Sequence, residues 1–171
     1  MILRDHATAS VRSSALHSAC GHYRFRLDRA WAPGAGVLWV MLNPSTATEV
    51  RNDPTVERCE RRSRAMGFPG YTVCNLFAWR STDPAGLART DDPVAPGNDA
   101  VILEAAAGAG LILCAWGAHG TRGGRGAEVA RMLVAAGHRL HVLGLTGGGQ
   151  PRHPLYVPYA AGAVPWLPQA S

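Results

Sequence analysis

The sequence predicts an α/β fold, a three-layer α/β/α sandwich whose central sheet is mostly parallel. Three observations predict it. The runs Val37-Leu38-Trp39-Val40-Met41-Leu42 and Leu111-Ile112-Leu113-Cys114-Ala115-Trp116 are continuously apolar over the length of a strand, as strands buried on both faces are. Segments of strand and helix character alternate along the chain, the pattern of a sheet covered by helices on both faces. Helix-start signals, Asn52-Asp53-Pro54-Thr55 and Asn98, stand between the strands.

In chain order, a polar leader comes first. Residues 22–31 then read as a strand with charges at alternate positions, Arg24, Arg26 and Asp28, closed by a Pro33-Gly34 turn. After the strand at 37–42, Asp53 is expected as N-cap and Pro54 as the first helical residue. That helix runs through Val56, Cys59 and Met66 to a stop at Gly67. Residues 71–77 are the next strand, followed by a polar loop over 81–97. Asn98 is expected to cap an Ala-rich helix through Ala107. The strand at 111–116 leads into a Gly- and Arg-rich loop at 117–126, a helix over about 127–136 ended by Gly137, and a last strand at 139–145. Repeats, low-complexity tracts and linkers are absent from the sequence, so 1–171 is expected to be a single domain with its core at about 20–160 and a peripheral leader and tail.

Composition narrows the function classes. The formal charge is +5, and every one of the 17 basic side chains is Arg. The planar guanidinium suits phosphate, although a GC-rich genome would also write a Lys-free chain. No apolar stretch is long enough to span a bilayer, and Met1-Ile2-Leu3-Arg4-Asp5-His6 lacks the apolar run of a signal peptide. Cys20, Cys59, Cys74 and Cys114 have no metal-ligand spacing, and Cys74 and Cys114 lie in apolar runs as small buried hydrophobes. The expectation is a cytoplasmic monomer, with no membrane association, that needs no metal or other cofactor.

In parallel sheets ligands bind beyond the carboxyl ends of the strands, where Leu42-Asn43-Pro44-Ser45, Cys74-Asn75-Leu76-Phe77 and Ala115-Trp116-Gly117 are expected to end. Gln150-Pro151-Arg152-His153-Pro154-Leu155-Tyr156 would join them, with His153 restrained by Pro154. Asn43 can hold a water or close its own turn. Ser45, Thr46 and Thr48 can line a pocket or solvate the loop. Asn75 has the donor and acceptor that a nucleobase edge needs, and Phe77 can stack on a base or fill the core. Trp116 can cap the core, while Gly117 allows close approach. His153 can meet developing negative charge or serve as a structural residue. Arg122 and Arg125 can meet phosphate, as can Arg58, Arg61, Arg62 and Arg64 unless these form a solvated helix face.

The ordered set Asn43-Pro44-Ser45, Asn75-Leu76-Phe77, Trp116-Gly117 and His153-Pro154 resembles the motif order of the uracil-DNA glycosylase superfamily. The fuller string, with Asn-Pro-Ser-Thr-Ala, Asn-Asp-Pro-Thr, Asn-Leu-Phe-Ala and Pro-Arg-His-Pro-Leu-Tyr, is similar over residues 23–159 to a bacterial and phage family classed as a domain of unknown function. The first resemblance implies a metal-free DNA glycosylase that breaks the N-glycosidic bond of a flipped, damaged or 5-modified pyrimidine. It implies that Asn43 holds the attacking water and His153 stabilises the anionic base. Ser45, Asn75, Phe77 and Trp116 would surround the base. Arg122, Arg125 and Arg152 would contact the DNA backbone, and Leu155 or Tyr156 would fill the emptied stack.

The chain departs from that pattern at three places. Asn43 stands where the most active uracil enzymes have Asp, so the resemblance is nearer the mismatch branch. Ser45 replaces a Gly of that branch, and Leu155 replaces the Ser after His-Pro. A small Ser45, in place of a bulky aromatic, implies tolerance of a 5-substituent. Two other classes stay open: a non-catalytic nucleic-acid or nucleotide-binding module of the same fold, and an N-glycosidic hydrolase of free nucleotides.

Overall fold

The computed structural model describes residues 1–168; the last three residues of the expected C-terminal tail lie outside them. The fold is mixed α/β, with one eight-stranded sheet. Its strands are β1 (Ile2–Ala7), β2 (Arg12–His17), β3 (Arg24–Ala30), β4 (Val37–Met41), β5 (Gly70–Asn75), β6 (Leu111–Cys114), β7 (Leu140–Val142) and β8 (Val164–Trp166). They lie in the order β1-β2-β3-β5-β4-β6-β7-β8. The helices are α1 (Pro54–Ala65), α2 (Asn98–Ala107) and α3 (Arg125–Ala135).

The expectation of a mostly parallel sheet is corrected. β5, β4, β6 and β7 are parallel neighbours at its centre, but antiparallel pairings outnumber parallel ones four to three. The supposed leader supplies two of the antiparallel strands. β1 is exposed along most of its length and carries Arg4, Asp5 and His6, so no apolar pattern marks it. β8, three residues with a central Pro165, closes the opposite edge, where proline removes no ladder hydrogen bond that the fold needs.

Strands β4 and β6 are buried on both faces, which is why they read as unbroken apolar runs. Along β4, Leu38 and Val40 join Val101 and Ile102 of α2 and Val129 and Leu133 of α3 in one cluster. Val37, Trp39 and Met41 join Val56 and Cys59 of α1 in the other. Fully burying one such large side chain is worth roughly 1.5–3 kcal/mol. The Trp39 indole, buried against α1, donates to Ser63 Oγ at 3.1 Å. Cys74 and Cys114 are buried here as expected, Cys59 of α1 is buried as well, and burial pushes all three thiols up.

Helix α1 starts as expected: Asp53 Oδ1 accepts from Val56 N at 2.9 Å and Pro54 occupies the first turn. The cap of α2 differs. Gly97, at φ +86°, precedes the helix, and Asn98 is its first residue. The Asn98 side chain is buried and donates to the Asn75 carbonyl at 3.0 Å, so it ties α2 to the end of β5 instead of capping its own helix. Helix α3 begins at Arg125, inside the expected loop, and Ala118–Gly124 forms 3-10 turns before it.

The parallel centre directs the functional segments to one end. Leu76 N donates to Met41 O, Phe77 N to Leu42 O and Ala115 N to Val40 O, which carries the sheet pairing past the strand ends. Asn43, Asn75 and Trp116 therefore emerge side by side. Among the described residues, no helix is long and apolar enough to cross a membrane.

Candidate functional site

A cavity of about 680 Å³ opens at the carboxyl ends of the parallel strands. Asn43, Ser45, Asn75, Trp116 and His153 line it together, as the strand-end argument requires, and Arg152, Leu155 and Tyr156 stand in the same wall. The volume is within the range of sites that enclose a whole small ligand.

The Asn43 amide is fixed from one side. Its Nδ2 donates to Ser81 O at 2.8 Å and to Pro44 O at 3.1 Å. Both partners are carbonyls that only accept, so the network assigns the nitrogen to that side. Asn43 thus closes its loop and is left with Oδ1 as a free acceptor at the cavity; its donors are spent. Asn75, at the end of β5, is 1% exposed and its Nδ2 has no hydrogen-bond partner. Leaving a buried donor unpaired costs about 1–3 kcal/mol, which a ligand carbonyl would recover. Ser45 is half-buried on the wall, whereas Thr48 Oγ1 accepts from Val50 N and Arg51 N and belongs to the turn.

His153 stands on an extended residue before the short turn Pro154–Tyr156. Its Nδ1 accepts from Leu155 N at 3.3 Å. Burial lowers its pKa to about 4, against the opposing pull of the Asp53 charge. The ring is therefore neutral at pH 7 with its proton on Nε2, a donor that costs no charge until one develops opposite it. Gly117 sets this loop's approach: it adopts φ +77°, its N donates to Pro151 O at 2.8 Å, and a Cβ there would lie 3.4 Å from that of His153. Arg62 secures the following segment by donating to the carbonyls of Val157, Pro158 and Ala161. Arg61 and Arg64 instead pair along α1 with Glu57 and Glu60 and form its solvated face.

Trp116 is a fully buried part of the wall. Its Nε1 donates to Gln150 Oε1 at 3.0 Å, and its ring meets Trp166 edge to face with centroids 5.8 Å apart. Gly120 and Gly126 sit so close to the indole that neither could carry a Cβ without a shift.

Three expected site residues lie elsewhere. Phe77 is in the core with Leu76, Leu87 and Val101, on the stretch where pairing to the β4 chain continues past β5. Arg125 is buried at the start of α3. Its Nε donates to Leu76 O at 3.0 Å, and its guanidinium pairs with Asp99 and Glu128, so no group is left for phosphate. Arg122 is exposed but does not line the cavity. Arg152 does line it and is exposed, with its Nε donating to Leu145 O at 3.0 Å. Tyr156, 78% exposed, stands at the rim with its ring tilted toward His153, centroids 5.8 Å apart.

Two wall residues had no functional reading in the sequence. Asp53 was expected only as a helix cap. Arg24 was expected only as one of the alternating charges of a strand, and it is 1% exposed. The register between β2 and β3 shifts at Leu16 and His17, opposite Arg24, and such a bulge re-aims the side chain. Arg24 Nη1 donates to Ala47 O at 2.7 Å, its Nε has no partner, and no carboxylate among the described residues lies within ion-pair distance. Burial lowers its pKa to about 10, which leaves it charged at pH 7. With Arg29, which donates to Thr48 O and Asn52 Oδ1, it holds the loop that follows Asn43.

A family model described as Protein of unknown function (DUF1643) matches residues 24–155, a span that runs from Arg24 to Leu155. No curated protein and no solved structure matches the chain.

Proposed function

From the premise that this chain belongs to the DUF1643 family, we propose that it hydrolyses the N-glycosidic bond of a damaged or 5-modified pyrimidine flipped out of DNA. We further propose that its motif order and its sheet with helices on both faces reflect kinship with the uracil-DNA glycosylase superfamily, and that it acts as a cytoplasmic monomer.

The observation that carries this reading is the convergence of three unspent hydrogen-bonding groups on one cavity: the Asn43 Oδ1 acceptor, the unpaired Asn75 Nδ2 donor and the neutral His153 Nε2 donor. A water held on Asn43 Oδ1 attacks the sugar carbon. Asn75 donates to a carbonyl on the base edge. His153 donates to the base oxygen where negative charge builds, and a donor placed in advance there is worth about 10²–10³ in rate. At the rim, Arg152 meets a phosphate and Tyr156 or Leu155 fills the gap left by the flipped base.

One observation favours a second reading, a hydrolase of free nucleotides. Commitment of Arg125 to Asp99 and Glu128 removes a group expected to bind the DNA backbone, while the cavity is large enough for a whole small ligand. The test is base release from duplexes carrying uracil, 5-hydroxymethyluracil, hypoxanthine or mismatched thymine, beside the corresponding free nucleotides. Release from duplex supports the DNA reading, and release from nucleotides alone supports the second. A salt-dependent mobility shift with no release identifies a binding module and rejects both.

A further inference from the structure

We propose that the Asp53 carboxylate takes the proton of the attacking water; this assignment rests on the N-glycosidic reading above. The Asn43 amide can position a water but cannot accept its proton at neutral pH. Asp53 is the one acidic side chain among the residues lining the cavity. It comes from Asn52-Asp53-Pro54-Thr55, a motif that the proposed function otherwise leaves unused.

The local structure holds this carboxylate in the wall. Pro54 keeps Asp53 extended, at φ −93° and ψ 173°, and the residue is only 8% exposed. Oδ1 accepts from Val56 N at 2.9 Å and Oδ2 from Ala47 N at 3.2 Å. Each oxygen keeps one further acceptor position. The bond from Val56 N needs no charge, since Asn or Ser caps a helix about as well as Asp, whereas the bond from Ala47 N uses the second carboxylate oxygen. The carboxylate faces two other groups of the cavity wall, since it opposes the lowering that burial imposes on His153 and on Arg24. The unpaired, buried Asn75 Nδ2 in the same cavity independently marks it as a place for a ligand.

In the step that follows, the water oxygen bonds to C1′ as the bond from C1′ to the base nitrogen breaks. The electron pair leaves with the base, which His153 Nε2–H meets. The water's proton passes to Asp53 and then to solvent, and the departed base takes a proton from solvent. Water and nucleotide unit are thus converted to sugar hydroxyl and free base.

The test uses the full chain and whichever substrate it releases fastest. Asp53→Asn and Asp53→Ser both retain a helix cap. Each is expected to lower the single-turnover rate about a hundredfold or more, in a chain that stays folded with a modestly lower unfolding temperature from the lost Ala47 N bond. Azide needs no base to activate it, so it is expected to restore turnover in Asp53→Ser with a glycosyl azide as product, and to leave the wild type unaccelerated. Variants that keep wild-type rates, a loss that azide does not relieve, or unfolding of both cap-preserving variants would overturn the assignment while leaving the N-glycosidic reading intact. A wild type that releases no base overturns both.

Discussion

Asn43 gives an amide hydrogen to the Ser81 carbonyl at 2.8 Å. With the second hydrogen on Pro44 O, the amide is oriented so that only its oxygen is available to the cavity. A carboxylate at this position would face two carbonyl oxygens. Asn43→Asp is therefore expected to lower stability by about 1–3 kcal/mol and to leave base release no faster, although an acid stands here in the most active enzymes that the motifs resemble. Urea unfolding and single-turnover release, measured on the same preparation, check both halves.

His153 carries two expectations. Replacement by Ala is expected to lower base release about a hundredfold or more while changing DNA affinity little, because its contact strengthens only as charge develops. It also links stability to pH. Its folded pKa, about 4, lies below the ordinary 6.5, so the unfolded chain binds the extra proton first. The contribution is fully present above about pH 6.5 and is lost as pH falls toward 4. Unfolding curves of wild type and His153→Ala are expected to converge over that window, and parallel curves would count against a buried neutral ring.

The two arginines once expected to act alike are expected to separate. Arg152→Ala is expected to weaken DNA binding across all sequences and to reduce the salt slope by about one. Arg125→Ala leaves Asp99 and Glu128 without their shared partner and the Leu76 carbonyl without its donor. Asp99 and Glu128 are 45% and 59% exposed and stay solvated, so the cost falls mainly on the buried Leu76 carbonyl, about 1–3 kcal/mol, and a fall in unfolding temperature is expected with little change in the salt slope of the protein that remains folded.

The parts of the fold visible in the sequence were those whose burial is two-sided. β4 and β6 announce themselves as apolar runs, and α1 carries both its cap and its proline. β1 could not be read this way, because an exposed edge strand needs only backbone pairing to hold Arg4, Asp5 and His6 in place. Among the cavity residues, Asn75 was legible as the end of a strand, and Asn43, Trp116 and His153 because each adjoins a proline or glycine. Arg24 was not, since its burial goes with a shift in the β2–β3 register, Leu16 pairing with Arg26 and His17 with Arg24, that no local pattern marks. Arg125 looked free among glycines, yet its partner Asp99 is 26 residues away in the chain. Asp53 was legible as a cap, and that explanation concealed its place in the cavity.

Ser45 bears on specificity. Its side chain is half-buried in the cavity wall and makes no hydrogen bond with the described residues, so it leaves room beside the base. Wild type is expected to accept pyrimidines with a 5-substituent, and Ser45→Tyr to shift the preference toward unsubstituted uracil. Competition between the two substrates in one reaction checks it.

Single-turnover base release from a mismatched duplex carrying 5-hydroxymethyluracil, followed as abasic-site formation in wild type and His153→Ala, addresses the central claim most directly. The account expects free base and an abasic site from wild type, faster than from the matched duplex, and a rate lower by about a hundredfold or more in the variant. Intact duplex after prolonged incubation with saturating wild-type protein, or equal rates for the two proteins, would contradict it.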